Sequence, residues 1–350
     1  MIRVNVIGLG HWGPNLVRGL LNSQRAEVGM VCDLVESRLE RIRRNISTAI
    51  VGTTDPTMAI ADPRAEAVVI ATPTHTHFAL TKAALEAGKH VLVEKPLAAS
   101  VAEAEALVEL AERHNRLLAV GHVFLFHNGI RAVKQLIDSG QLGHVRYIFS
   151  TRTNLGPFRS DVNALWDLGA HDLSIFNYWL AGQPDRVTAF GTSFLHPGVE
   201  DVVVANFAYP GQVQACIHAS WLNPQKVREI TVVGDRQMAV WNDMDLNEPL
   251  RIYHKSVDVE PDAAYADSFG SFRLLVRSGD VIIPRIDGGP PLDAECAHFV
   301  DCIADGATPI NDGRVGLRVV QALAAAQQSM RNHSLLTPVQ TALGALAKAA

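Results

Sequence analysis

Several features are scarce in this 350-residue chain, and each scarcity removes a class of protein. There are four cysteines, Cys32, Cys216, Cys296 and Cys302, and the six-residue step between the last two matches no usual zinc spacing. They read as reduced thiols of a cytoplasmic protein, with no disulfide framework and no metal. No apolar run approaches the roughly 20 residues that span a bilayer. The chain opens directly on MIRVNVIG, already strand-like, so neither a secretory leader nor a membrane partner is expected. Positive charge is not in excess: 31 Lys and Arg against 36 Asp and Glu give a formal net charge of −5. The short Arg41–Arg44 cluster does not reverse that, which argues against nucleic acid as a partner. Repeats are missing, and the one biased tract is an Ala-rich tail, 342–350, expected to fray.

What is present is ordinary globular material, 48% hydrophobic and 19% charged, in a length that suits two cores. Up to residue 121, apolar β-branched runs alternate with helical patterns. Val4–Ile7, Glu27–Cys32, Ala67–Ala71, His90–Val93 and Leu117–Val120 predict a parallel sheet covered on both faces by helices. Pro14 suits a first helical turn, Gly88 a helix end, and Ser100 with Glu103 a capping box.

The sharpest motif is VIGLGHWGPNLVRGLL. Gly8, Gly10 and Gly13 form G-x-G-x-x-G between a strand and a helix, with His11 and Trp12 inside the loop. The first glycine permits the turn, the second admits a pyrophosphate against backbone, and the third brings helix and strand together. Asp33 follows Gly13 by 20 residues, where a carboxylate accepts ribose hydroxyls. A carboxylate there repels a 2′-phosphate, which favours NAD over NADP, while Arg38 could soften that preference. This is the first half of a doubly wound Rossmann α/β arrangement, residues 1–121.

Two further strand ends lie on the ligand-binding edge of such a sheet. One carries Thr72, Pro73, His75 and His77, the other Glu94-Lys95-Pro96. Pro96 restricts Lys95 to an extended backbone. A lysine so held could donate to a developing oxyanion, or could simply be a solvated surface residue; the spacing leaves both open.

From residue 122 to 350 the pattern changes to long strands, 145–153, 186–194, 201–209, 212–221 and 227–233, separated by turn signals. They predict an α+β domain built on a large, mostly antiparallel open sheet with one face covered by helices. On the helix expected over Ala164–Leu180, Asp167 and His171 fall four apart, on one face. The histidine has the side chain best suited to moving protons near neutral pH. The same pair could equally be an ordinary surface i,i+4 contact. Before this helix, Arg152, Asn154, Arg159 and Asn163 make a polar segment around Gly156-Pro157, and its arginines suit a substrate phosphate or carboxylate.

GLGHWG, ATPTHTHF, VEKPLA, the turn Gly140–Gly143 and DLGAHD, in this order, resemble the glucose–fructose oxidoreductase/inositol dehydrogenase/MocA (Gfo/Idh/MocA) family. The resemblance departs at Gly121–Asn128, GHVFLFHN, where the family carries an arginine and a proline. It implies an NAD(P)-dependent oxidoreductase. Gly8, Gly10, His11, Trp12, Gly13, Asp33, Arg38, Thr72, Pro73, His77, Glu94 and Lys95 would then bind cofactor. Lys95, His171 and Asp167 would act on one substrate carbinol, with Arg152, Asn154, Arg159 and Asn163 as further substrate contacts. It also implies a homodimer or homotetramer through the antiparallel sheet.

The 152–167 segment is similar to a subgroup oxidising nucleotide-activated amino sugars at C3, UDP-N-acetylglucosamine among them, in lipid A or polysaccharide assembly. Inositol or simple sugar oxidation is the alternative substrate class. A lyase or hydrolase using held NAD, and a non-catalytic NAD-sensing regulator, are the alternatives in kind.

Overall fold

The computed structural model describes residues 1–257 and 276–340; the Ala-rich tail expected to fray lies outside them. Two compact units emerge, one of residues 1–127 with 289–324 and the other of 128–288 with 325 onward.

In the first unit the chain runs β1 (Ile2–Ile7), α1 (Gly13–Asn22), β2 (Ala26–Cys32), α2 (Glu36–Asn45), β3 (Val51–Thr53), α3 (Pro56–Ala61), β4 (Ala67–Ile70), α4 (His77–Glu86), β5 (His90–Glu94), α5 (Val101–Arg113) and β6 (Leu118–Gly121). The strands form one parallel sheet in the order β3-β2-β1-β4-β5-β6. Val4, Val6, Val69, Leu92 and Ala119 are almost fully buried in it, as the continuous apolar runs require of a sheet covered on both faces. The helix punctuation is in place: Pro14 opens α1, Ser100 caps α5 by accepting from Glu103 N at 3.3 Å, and Gly88 stands at φ +74° after α4.

Strand β3 and helix α3 are too short to show a period in the sequence. The strand has three residues, none buried, and Asp55 starts the helix by accepting from Thr57 N at 2.8 Å.

This unit also reclaims the chain near its C-terminus. Helix α8 (Pro291–Asp305) places Cys296, Phe299 and Val300 in the core with Leu16 and Leu20 of α1. Val120 N of β6 donates to Asn311 O at 2.8 Å, and α9 (Gly313–Arg331) begins beside it. A linear division at residue 121 assigns all of this to the second domain. The segment returns because an apolar helix face finds its partner in space, and no local motif announces that.

In the second unit, α6 (Asn128–Asp138), β7 (Val145–Leu155), α7 (Ala170–Trp179), β8 (Arg186–Thr192), β9 (Val202–Tyr209), β10 (Val213–Ser220), β11 (Leu222–Gly234), β12 (Met238–Asn242) and β13 (Leu250–Tyr253) follow in order. A short β14–β15 ladder (Ser256–Val257 with Val276–Arg277), β16 (Val281–Ile282) and β17 (Thr337–Pro338) complete the described strands. The main sheet has the order β16-β13-β12-β11-β7-β10-β9-β8-β17 and is antiparallel except where β7 and β10 pair in parallel.

Side-chain alternation sorts the two faces. Ile148, Ser150, Arg152, Phe207 and Ile217 are buried, whereas Tyr147, Phe149, Phe190 and Val204 are exposed. Among the described residues no helix is long and apolar enough to cross a membrane.

Candidate active site

In the first unit, the glycine turn after β1 is built by exclusion. Gly8 stands at φ +96°, and a Cβ there would lie 2.4 Å from Ala71 O; a Cβ on Gly13 would lie 2.0 Å from Gly8 O. Gly10 differs, since an added Cβ meets nothing within 4 Å. Two glycines are therefore demanded by the fold, and the third faces open space of the kind a pyrophosphate needs against backbone. Helix α1 starts there with Trp12 as N-cap and no side-chain cap. Pro14 carries no N–H and Asn15 N already donates to Trp12 O at 2.9 Å, so this end attracts an anion chiefly through the positive end of the helix dipole. The residues thus fit a dinucleotide.

Asp33 ends β2, only 6% exposed. One of its oxygens accepts from Leu9 N at 2.7 Å, inside the glycine turn, and the other from Val35 N at 2.9 Å. Arg38 Nη1 reaches the same carboxylate at 3.2 and 3.3 Å. Arg41 Nη2 donates to Leu9 O at 2.9 Å. The carboxylate thus pins the turn, and Arg38 is drawn to it. His11 and Trp12 lie exposed on the loop with their rings edge to face at 5.6 Å.

The strand ends beside this turn are tied together by His77, which is 1% exposed. Its Nδ1 lies 2.8 Å from Pro96 O and its Nε2 2.9 Å from Thr72 O, so a doubly protonated ring would donate to both carbonyls. His75, expected exposed, is exposed. The Lys95-Pro96 peptide is cis, and Lys95 N donates to Glu94 Oε2 at 3.3 Å. Burial raises the Glu94 carboxyl to about 7 even though the Lys95 ammonium opposes it. His122 is wholly buried, and neither ring nitrogen has a hydrogen-bond partner among the described residues. Burial, reinforced by the Lys95 charge, lowers it to about 3 and keeps it neutral.

Glu295 of α8 is 1% exposed, and burial pushes its carboxyl well above the usual range. It accepts from Asn311 Nδ2 at 3.2 Å, and that same amide donates to Val120 O at 2.7 Å. Neither His122 nor Glu295 stands out from sequence alone. The signal for Glu295 is a carboxylate one turn before Phe299 and three residues after Leu292 in the stretch LDAECAHFV, on its apolar face. The segment 122–128 that departs from the family pattern turns inward, burying Leu125 and Phe126, with the Phe126 ring 5.2 Å from that of His298.

In the second unit the helix expected over 164–180 runs without a break to Trp179 but holds a π-segment near its start. Leu165–Gly169 form a π-turn, in which Ala170 N bonds to Leu165 O, and α7 follows. Gly169 makes this possible, because a Cβ there would strike Leu165 Cδ1 at 2.6 Å. Single π-turns of this kind are frequent at functional sites. Asp167 lies within the π-turn and His171 in the first turn of α7.

Asp167 Oδ1 accepts from Arg159 Nη1 at 3.2 Å and Oδ2 from Trp221 Nε1 at 3.3 Å. Trp221 is fully buried at the start of the β11 side of the sheet and is not visible as a site residue in sequence. Asn163 caps the π-turn by accepting from Trp166 N at 3.0 Å and donates to Glu200 and Gln327 at 2.7 and 2.6 Å. Asn154 donates to Gly156 O.

Arg152 is not a loop arginine at a site mouth. It sits on the buried face of β7, 2% exposed, with Nε and Nη2 on the Asp172 carboxylate at 2.8 to 3.1 Å. Strand alternation aims residue 152 inward, where only a paired arginine is tolerated.

Comparison with known proteins agrees with this architecture. A family described as "Oxidoreductase family, NAD-binding Rossmann fold" matches residues 2–122, and the GFO/IDH/MocA C-terminal domain matches residues 130–240. The chain belongs to the Gfo/Idh/MocA oxidoreductases. UDP-N-acetylglucosamine 3-dehydrogenase of Acidithiobacillus ferrooxidans is 29% identical over 92% of this chain and 95% of its own. A crystal structure of an A. ferrooxidans protein of that name superposes with a TM-score of 0.78 at 25% identity, covering 94% of this chain and 99% of that one. An NADP-dependent scyllo-inositol 2-dehydrogenase of Bacillus subtilis is 25% identical over 94% of each chain. As a member of this family the chain is an oxidoreductase with a dinucleotide-binding Rossmann unit.

Proposed function

We propose that this oxidoreductase uses NAD to oxidise a secondary hydroxyl of a nucleotide sugar, C3 of a UDP-N-acetylhexosamine, giving the 3-keto sugar for amino-sugar, lipid A or polysaccharide assembly in the cytoplasm. The observation that carries the redox part is the Asp33 carboxylate locked to Leu9 N–H within the Gly8–Gly13 turn, with open space at Gly10. The substrate part is supported by the nearly full-length likeness to a UDP-N-acetylglucosamine 3-dehydrogenase.

The bound nicotinamide supplies the hydride acceptor. His171 removes the proton of the reacting hydroxyl, the role an imidazole is suited to. Lys95 donates to the oxygen as it gains charge. Asp167, fixed by Arg159 and Trp221, orients a neighbouring sugar hydroxyl or the His171 ring. Thr72, Pro73, His77 and Glu94 shape the cofactor edge, Asn154 and Asn163 shape the loop before the π-turn, and Arg152 supports His171 from below by anchoring Asp172 on α7. The exposed aromatic face of Tyr147, Phe149 and Phe190 is the surface on which we place a homodimer or homotetramer contact.

The test is NADH formation at 340 nm (an assay wavelength, roughly the reduced-nicotinamide band) with UDP-sugars and inositols, for the parent, His171→Ala and Lys95→Met. The parent should oxidise UDP-N-acetylglucosamine. Both variants should lose about 100-fold or more in kcat while binding NADH as before. Turnover of inositols alone would select the second substrate class, which the B. subtilis relative favours. Undiminished turnover in His171→Ala would remove that residue as the base.

A further inference from the structure

The loop that follows β7 contains an arginine already holding an anion. Arg159 Nε and Nη2 grip the two oxygens of Asp161 at 2.9 and 2.6 Å, fork to fork, while Nη1 reaches Asp167 at 3.2 Å. One guanidinium therefore links an outer carboxylate, with its side chain 37% exposed, to an inner one at 16%. The inner carboxylate is held from its other side by the buried Trp221 ring nitrogen.

We propose that Asp161 is an internal stand-in for an anionic group of the substrate. A phosphate of a nucleoside diphosphate would displace it from the Nε/Nη2 edge of Arg159 while Nη1 keeps Asp167 in place. The proposal rests on the nucleotide-sugar reading above and deepens it, making Asp161 a specificity-determining residue.

Two observations carry it. The edge in question presents two parallel N–H donors, the geometry that suits phosphate and carboxylate alike. Asp161 is exposed and only two residues from its partner, and exposed ion pairs are weak enough to exchange. A neutral polyol brings no group able to displace Asp161 and leaves the pair closed. The exchange thus discriminates between charged and neutral substrates at a point that contacts Asp167.

Asp161→Asn keeps the shape and removes the competing charge; Arg159→Met removes the anchor. Calorimetric titration of the full chain with UDP, and separately with inorganic pyrophosphate, reads binding without turnover. Asp161→Asn should tighten UDP about threefold or more, and Arg159→Met should weaken it about tenfold or more. With UDP-N-acetylglucosamine as substrate, KM in Asp161→Asn should fall by more than kcat moves, and KM for a neutral inositol should not fall with it. A matching gain for pyrophosphate supports displacement by the diphosphate itself. UDP affinity unchanged in both variants overturns the exchange, and if the parent still oxidises the UDP-sugar, the substrate reading survives. UDP tightened by Asp161→Asn in an enzyme that oxidises only neutral polyols upholds the exchange and rejects that substrate.

Discussion

The two units place their candidate residues by different means. In the first unit, backbone does most of the positioning. Glycine turns, strand ends and a helix N-terminus define the cradle, and the side chains Asp33 and His77 are themselves fastened to backbone N–H and C=O groups. In the second unit, side chains position side chains. Arg152 holds Asp172, Arg159 and Trp221 hold Asp167, and Asn163 ties the π-turn to Glu200 and Gln327. A backbone cradle serves a constant ligand, whereas a network of charged side chains can be retuned for different substrates by single substitutions. That difference suits a family in which the nucleotide unit is shared and substrates vary.

The contrast is sharpest at its strongest contact. Arg152→Leu should strand the Asp172 charge in the core and cost about 3–5 kcal/mol, seen as an early transition in chemical denaturation. Arg152→Leu combined with Asp172→Leu should recover much of that, because the pair as a whole contributes little beyond an apolar replacement. If the double variant were no more stable than the single, the pair would be supplying more than mutual neutralisation.

Next in size is a comparison within the glycine turn. Gly8→Ala meets both Ala71 O and a positive φ, so it should destabilise the fold by roughly 1–3 kcal/mol and abolish cofactor binding together. Gly10→Ala meets nothing in the protein, so it should leave the melting temperature near that of the parent and lower NADH affinity, read by nucleotide fluorescence. Equal loss of stability in both variants would mean that the turn is purely structural.

The smallest effect concerns the buried acid beside Lys95. Glu94 is raised from 4.5 to about 7, so the folded state holds its proton more tightly than the unfolded chain. The stability this confers is complete below about 4.5 and is lost as pH rises through 7. Glu94→Gln should flatten that alkaline arm, a change of at most about 1.4 kcal/mol per pH unit. His122 contributes the opposite slope. Its lowering from 6.5 to about 3 gives stability that is complete above 6.5 and lost as pH falls toward 3. A Glu94→Gln profile that still declined between pH 5 and roughly 8 would assign the alkaline arm to another group, with Glu295 the first candidate.

Legibility followed the same division. The glycine motif, Asp33 at its fixed distance and the ends of β4 and β5 are local patterns, and local patterns survive in a linear string. The capping residues Ser100 and Gly88 could be read for the same reason. The π-turn could not, because it depends on Gly169 admitting the Leu165 side chain. Nothing local distinguishes Trp221 from other core aromatics; its ring nitrogen on Asp167 does. Arg152 reads as a substrate contact because it opens a polar segment, yet it lies on the inward face of β7 and is paired with Asp172.

The sequence by itself determined the nucleotide cradle, the change from a parallel to a mostly antiparallel sheet near residue 122, and the residue types able to move a proton and steady an oxyanion. Hydrophobic period and turn chemistry act over a few residues, so they can be read in order along the chain. Only the tertiary structure decided that residues 289–324 rejoin the first unit, that Glu295 is buried among its helices, and that Arg159 divides itself between Asp161 and Asp167. Those outcomes depend on which apolar faces and charges meet across long stretches of chain, and burial then sets their chemistry.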